Sequence, residues 1–181
     1  HVINRRMVQM EAEGVQFRTS VEVGVTVSVA SLKENFDAIV MAGGAEDPRP
    51  LDIPGFELPG VRFAMEFLTQ QNKRVGGEDV SNLEPISAAG KHVVVVGGGD
   101  TASDCVGTAF RQGALSVTQL DIRPMAPELE DKLTVWPYWP TKFRTSSSQA
   151  EGAEREFQAA TLGLEGRNGR LTGVKCARVD E

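Results

Sequence analysis

His92-Val-Val-Val-Val-Gly-Gly-Gly-Asp-Thr-Ala-Ser103 reads as a buried strand running directly into a glycine-rich turn that opens a helix. Val93 to Val96 form an unbroken β-branched run, the pattern of a central parallel strand covered on both faces. Gly97, Gly99 and Ala102 fit the spacing G-x-G-x-x-[G/A]. In that spacing the first glycine permits a tight turn and the second lets an anion approach the backbone. The third position takes a small residue so that helix and strand pack closely. The helix beyond presents free N–H groups and the positive end of its dipole, which together make a phosphate-binding architecture.

The surroundings agree. Ala102, Val106, Ala109 and Phe110 recur at helical spacing, and Gly113 follows as a C-terminal stop. Residues 117–122 supply a second strand, completing a βαβ unit of about 30 residues, the Rossmann-type unit that binds dinucleotides. Gly97, Gly98, Gly99, Asp100 and Thr101 are the expected lining of a pyrophosphate turn, their N–H groups donating to phosphate oxygens. The charge of Asp100 would repel that anion, so its expected role is to cap the helix or bond backbone amides. Asp104, one turn further, is either polar support for the same site or a solvated helix face. Asp121 ends the second strand roughly 20 residues after the glycines, where a ribose-binding carboxylate is expected. Arg123 follows, and its guanidinium suits a 2′-phosphate that a carboxylate would repel. Arg144 is a second candidate for that contact. Asp121 points to NADH and Arg123 to NADPH, and the sequence leaves open which side chain faces the ribose.

The length of 181 residues allows one core, or one domain with part of another. The chain begins at His1 without an initiator methionine and ends at Asp180-Glu181 after a strand-like run, which reads as an internal fragment. A formal charge of −6, with no basic run or aromatic-rich basic patch, argues against nucleic acid and anionic membrane as main partners. No apolar run approaches the ~20 residues that span a bilayer, and no signal peptide is visible; the sparseness of cysteine is what points to a cytoplasmic protein. Cys105 and Cys176 are the only cysteines. Too few and too far apart to hold a metal or iron–sulfur cluster, both are expected to be small core residues.

Along the rest of the chain, residues 1–14 carry Ile3, Met7 and Met10 at helical spacing. Val15, Phe17, Val21 and Val23 give the alternation of a strand or hairpin. Ser31 is placed to cap a short helix containing Leu32 and Phe36. Asp37-Ala-Ile-Val-Met-Ala42 reads as another buried strand, ending in Gly43-Gly44. Residues 45–60 hold four prolines and two glycines, a composition suited to a domain crossing. The expected division is residues 1–50 and residues 51–181. Residues 63–71 read as a short helix and residues 72–90 as a polar loop. Residues 124–140 are proline-rich and contain Trp136-Pro-Tyr-Trp-Pro140, either a docking surface or a rigid loop packed on its own domain. Helical character resumes over residues 151–162. Gly166-Arg-Asn-Gly169 is a turn between two short strands, the second over residues 173–179.

Taken together, these strings resemble the family of glutamate synthase small (beta) subunits, within the wider two-dinucleotide-domain flavoproteins of the pyridine nucleotide-disulfide oxidoreductase type. The wider likeness lies in Gly97-Gly-Gly-Asp-Thr-Ala-Ser-Asp-Cys105. It lies also in Phe36-Asp-Ala-Ile-Val-Met-Ala-Gly-Gly44, followed by Pro48-Arg49 and Ile53-Pro-Gly55. Many relatives have Ala-Thr-Gly where this chain has Ala42-Gly43-Gly44, the form common in glutamate synthase small subunits. The narrower likeness rests on Ala64-Met-Glu-Phe-Leu68, Gln70-Gln-Asn-Lys-Arg74, Trp136-Pro-Tyr-Trp-Pro140 and Arg144-Thr-Ser-Ser-Ser148 with Glu151-Gly152 and Glu154-Arg155-Glu156.

The resemblance implies an α/β fold: a three-layer Rossmann-like NAD(P)H-binding domain over residues 51–181 and part of an FAD-binding domain over residues 1–50. In the family, NADPH gives a hydride to FAD. Electrons then pass through iron–sulfur clusters to a large subunit, which makes glutamate from glutamine and 2-oxoglutarate. The family's cysteine-rich cluster domain, first FAD glycine motif and C-terminal FAD segment are not in this stretch, so the chain alone is not expected to transfer electrons. Gly43 and Gly44 would lie at the domain crossing, either allowing close backbone approach near flavin and nicotinamide or simply ending a strand. No catalytic side chain is expected. His1 and His92 are poor candidates, and hydride transfer asks a protein for positioning rather than for a nucleophile. The competing readings are another FAD-dependent NAD(P)H reductase, feeding a pyrimidine-reducing or ferredoxin-linked partner, and a non-catalytic nucleotide-binding module.

Overall fold

A computed structural model describes residues 2–45, 47–138 and 141–179. The chain divides into two units, His1–Ala45 and Glu46–Glu181. His1, Asp180 and Glu181, noted above for the chain's ends, lie outside the described residues, as do Trp139 and Pro140 of the aromatic string.

In the first unit, helix α1 (Val2–Ala12) follows the expected spacing, with Met7 and Met10 its least exposed side chains. Helix α2 (Val29–Asn35) is capped by Ser28, whose hydroxyl accepts from the Ser31 N–H at 3.1 Å. Ser31 is thus the donor in the cap rather than the cap itself. Neither strand expected in this unit forms. Residues 15–23 contribute only an isolated bridge between Val23 and Val27, and residues 37–42 are irregular, with Met41 95% exposed. Apolar alternation becomes a strand only when a neighbour completes the hydrogen-bond ladder, and no strand of this unit is described to do so.

The second unit begins its regular structure with helix α3 (Ala64–Gly76). It runs five residues past the expected end and stops at Gly77, whose left-handed φ of +79° closes the last turn. Strand β1 (His92–Val96), helix α4 (Asp100–Arg111) and strand β2 (Ser116–Leu120) make the βαβ unit. β1 and β2 are parallel, pairing His92 with Ser116 through Val96 with Leu120. Val106 and Ala109 are fully enclosed; with Ala102 and Cys105 they bring the buried face of α4 against Val95 and Val117, while Phe67 and Leu68 of α3 close the cluster. Gly113 ends α4 as expected, its N–H donating to the Phe110 carbonyl. A single turn, α5 (Lys132–Val135), interrupts the proline-rich loop, where Trp136 and Tyr138 are exposed rather than packed.

Three further features of this unit depart from the sequence pattern. β1 is an edge strand, in the order β1-β2-β3, and is covered on one face only. Val95 is buried, whereas Val94 and Val96 are each 44% exposed. Residues 151–162 are not helical: a 3₁₀ turn (Gln149–Glu151) leads to Gly152 at φ +128°, then to strands β3 (Glu154–Glu156) and β4 (Ala159–Arg167). The open edge of β2 decides this, because β3 completes its ladder in parallel, Thr118 opposite Glu154 and Leu120 opposite Glu156. Third, Cys176 is exposed on strand β5 (Arg170–Arg178), while Cys105 is buried as expected, its thiol pushed up to about 11 by burial and then by the Asp104 charge.

β4 and β5 form an antiparallel hairpin closed by Asn168-Gly169, both at positive φ, the two-residue turn that Asn-Gly favours. No helix among the described residues is long and apolar enough to cross a membrane.

Gly107 lets α4 approach the 3₁₀ segment. A Cβ there would lie 2.6 Å from Ser148 Oγ and 2.8 Å from Ser148 Cβ, on a side chain that is itself buried. Alanine adds about 1 kcal/mol of helix propensity, but forced overpacking costs roughly 1–3 kcal/mol. Gly107→Ala is therefore expected to lower the thermal midpoint of the chain; an equal or higher midpoint would contradict this packing.

Candidate functional site

The turn between β1 and α4 is held by its first glycine. Gly97 adopts φ +132°, a conformation that side chains disfavour. Its N–H donates to the Leu120 carbonyl at 2.8 Å, and its own carbonyl accepts from Gln119 Nε2 at 2.9 Å. Ala102, the third motif position, is buried with its Cβ 3.6 Å from where a Gly97 Cβ would lie, an ordinary packing distance. Gly99 is the N-cap residue of α4. No side chain caps that end, and nothing lies within 4 Å of a Cβ built on Gly99. The first-turn amides of α4, those of Asp100, Thr101 and Ala102, therefore keep the unsatisfied donors that every helix start carries. They border an open cleft of about 250 Å³, lined also by Ala64, Val95, Val96 and Cys105.

Asp100 is the first residue of α4 and is exposed, so the expected cap role falls instead to Gly99. Asp104 is exposed on the next turn.

At the end of β2 the two residues that pointed to opposite cofactors are bound to each other. Asp121 Oδ1 accepts from the Arg123 backbone N–H at 3.0 Å and from Nε at 3.1 Å, and Oδ2 accepts from Nη2 at 2.9 Å. Burial works to raise the Asp121 carboxyl. The Arg123 hydrogen bonds and the charges of Arg123 and Arg155 outweigh it, holding the carboxyl below the usual carboxylate range. The backbone on either side is tied in, with Asp121 N–H donating to Glu156 at 2.8 Å and its carbonyl accepting from Ala159 at 3.0 Å.

This pair fills the space beside the turn. A Cβ on Gly98 would sit 1.6 Å from Asp121 Oδ2 and 2.8 Å from Arg123 Nη2. A side chain at the motif's unspecified second position would therefore displace this pair.

Arg155 was not legible as a site residue. Its guanidinium lies over Phe143 at 4.8 Å and Phe157 at 5.0 Å, and Nη1 donates to the Arg144 carbonyl at 3.0 Å. Burial lowers its pKa while the Asp121 charge opposes the shift. Phe143 lies in a loop and Phe157 just beyond β3, so only the fold brings them around Arg155. The backbone of Arg144 meets the same cluster. Gly43 and Gly44 belong to the other unit, exposed, with open space around both and Gly44 at φ +71°. His92 is exposed, its Nδ1 2.7 Å from Ser116 Oγ across the first pair of the ladder, a structural contact. Among the described residues no group of three His, Cys, Asp or Glu side chains is placed to hold a metal.

The sequence pattern of the pyridine nucleotide-disulphide oxidoreductase family matches residues 3–136. Over 180 residues the chain is 45% identical to the glutamate synthase [NADPH] small chain of Mycobacterium tuberculosis, covering 98% of this chain and 37% of that protein. It is 39% identical over 156 residues to the protein of the same name from Bacillus subtilis, covering 86% of this chain and 31% of that one. It is 38% identical over 188 residues to the glutamate synthase [NADH] of Schizosaccharomyces pombe, covering 99% of this chain and 9% of that protein. The chain thus spans little more than a third of the length of even the small-chain relatives it matches.

Because the Asp121 carboxyl is lowered, the pair's stability is fully present above the unfolded value near ~3.9 and is lost as pH falls through the folded value. Asp121→Asn is expected to unfold at lower denaturant concentration than the native chain near neutral pH, with the gap closing as pH drops below about 4. A gap that persists unchanged in acid would contradict the pairing.

Proposed function

The chain belongs to the pyridine nucleotide-disulphide oxidoreductase family, and on that premise we propose that it is the NAD(P)H-binding portion of a glutamate synthase small subunit, binding NADPH at residues 97–101 and at the end of β2. The observation that carries this reading is a pairing of features: an uncapped helix start behind an open glycine, and a guanidinium fixed beside the same turn. The identity to small-chain relatives over nearly the whole chain supports it.

Each residue then has a task. The amides of Gly99, Asp100 and Thr101 donate to pyrophosphate oxygens, and Gly97, Gly98 and Ala102 let the turn and α4 come close enough to do so. Asp121 orients Arg123 toward the 2′-phosphate, and Arg155 offsets the carboxylate charge that would otherwise repel it. An unphosphorylated ribose would instead want the free oxygens of Asp121, and one relative is named for NADH. Here both carboxylate oxygens are already engaged by Arg123, which favours NADPH.

Residues 1–50 form part of the FAD-binding domain and residues 51–181 the nucleotide domain. The open surroundings of Gly43 and Gly44 suit close approach of the flavin nucleotide. When bound at residues 97–101, NADPH would supply the hydride for an FAD, and in a full-length small subunit iron–sulfur clusters would carry the electrons on to a large subunit for glutamate synthesis from glutamine and 2-oxoglutarate. This chain's own share is binding and orientation, with no side chain acting as nucleophile or acid. Two free cysteines fit a cytoplasmic setting.

Equilibrium titration of the folded chain with NADPH and NADH at one fixed salt concentration tests the reading. NADPH is expected to bind more tightly, and Arg123→Ala should weaken it by about tenfold or more while NADH changes little. Equal losses would remove Arg123 from the phosphate site, and no binding of either nucleotide would overturn the site itself.

A further inference from the structure

Gln119, one residue from the end of β2, is 2% exposed and the largest of the fully buried side chains. A primary amide in that place is costly unless its donors and acceptors are matched. Here Nε2 donates to the Gly97 carbonyl at 2.9 Å, and Oε1 accepts from Gln149 Nε2 at 2.8 Å. Gln149 is buried too. Its Oε1 accepts from the Ser146 N–H at 2.9 Å, and its own N–H donates to Ser146 Oγ at 3.1 Å. Ser146 Oγ in turn meets the hydroxyl of Ser103, buried in the first turn and a half of α4. One polar chain therefore starts at the carbonyl of the first motif glycine and ends on the helix which that motif opens.

Three successive glycines have more backbone freedom than any other tripeptide, yet binding an anion through backbone amides demands that they be fixed beforehand. Two apolar side chains of similar shape would fill the same space without the amide–amide bond, but would leave the Gly97 carbonyl and the Ser146 N–H without their partners.

We propose that the buried amide pair Gln119–Gln149, continued through Ser146 to Ser103, is the positioning device of the nucleotide turn, setting the Gly97 carbonyl and the start of α4 at the spacing the pyrophosphate requires. The inference rests on the reading of residues 97–101 as the pyrophosphate site. These four are positioning residues, acting through the turn, and the pyrophosphate they serve is common to both nucleotides.

Gln149→Leu is expected to weaken NADPH and NADH by the same factor, roughly tenfold, where Arg123→Ala separates the two. The double variant Gln119→Leu/Gln149→Leu no longer buries an unpaired Gln119 Oε1 and should regain part of the thermal stability lost in the single variant but none of the affinity, with faster amide exchange at residues 97–101 in both. Ser103→Ala removes only the far end of the chain and serves as the milder variant where Gln149→Leu does not fold; the same uniform loss, smaller in size, is expected. Affinity that returns along with stability in the double variant, or native affinity in the variants, would reduce the network to structural support and overturn the proposal. A native chain that binds neither nucleotide would overturn the site reading and this inference with it, an outcome visible before any variant is made.

Discussion

Gly98 has no room for a side chain, and much of the site follows from that. The space a methyl group would take is occupied by the Asp121 carboxylate and the edge of the Arg123 guanidinium. Close approach on this scale is possible only because the end of β1 and the end of β2 lie in parallel register, Val96 opposite Leu120, with the Gly97 N–H bonded to the Leu120 carbonyl. The overlap is with side-chain atoms of the pair, Asp121 Oδ2 and Cγ and Arg123 Nη2. It could be relieved only by breaking the ion pair or moving the turn.

The strength of that pair lies in its geometry more than its charge. The Arg123 side chain is 65% exposed, so the Coulomb attraction is screened. What remains is three hydrogen bonds from one residue to one carboxylate whose own side chain is only 11% exposed. A guanidinium held this way is ordered before any ligand arrives. In a chain of net charge −6 with Asp100 on the first turn of α4, ordered cations decide where an anion can settle. Arg155, held over Phe143 and Phe157, adds a second cation acting on the same carboxylate.

Elements whose signals are local were legible in the sequence. The β-branched run, the glycine turn, the 3.6-residue spacing of Ala102, Val106 and Ala109 and the Asn-Gly hairpin each carry their cause within a few residues. Elements that depend on a distant partner were not. β3 exists because β2 has an open edge, and Glu154-Arg155-Glu156 taken alone has no reason to be a strand. Val94 and Val96 look as apolar as Val93 and Val95, and which face is covered is decided by where α4 lies. The apolar residues 38–41 look like a strand but have no ladder to join among the described residues. Ser28 and Ser31 are equally good caps on paper, and the start of α2 chooses between them. Of the site, the glycines, Asp121 and Arg123 were visible, but their mutual bond was not. Gln119, Gln149 and Arg155 were invisible because burial of a polar side chain is a property of the fold.

The most direct test of nucleotide binding through backbone amides and a fixed guanidinium is an amide-resolved NMR titration of the isotope-labelled chain with NADPH. The largest shifts are expected at the N–H groups of Gly99, Asp100 and Thr101 and at the Arg123 Nε–H. Shifts concentrated elsewhere in the chain, with those four signals unmoved at saturation, would contradict it.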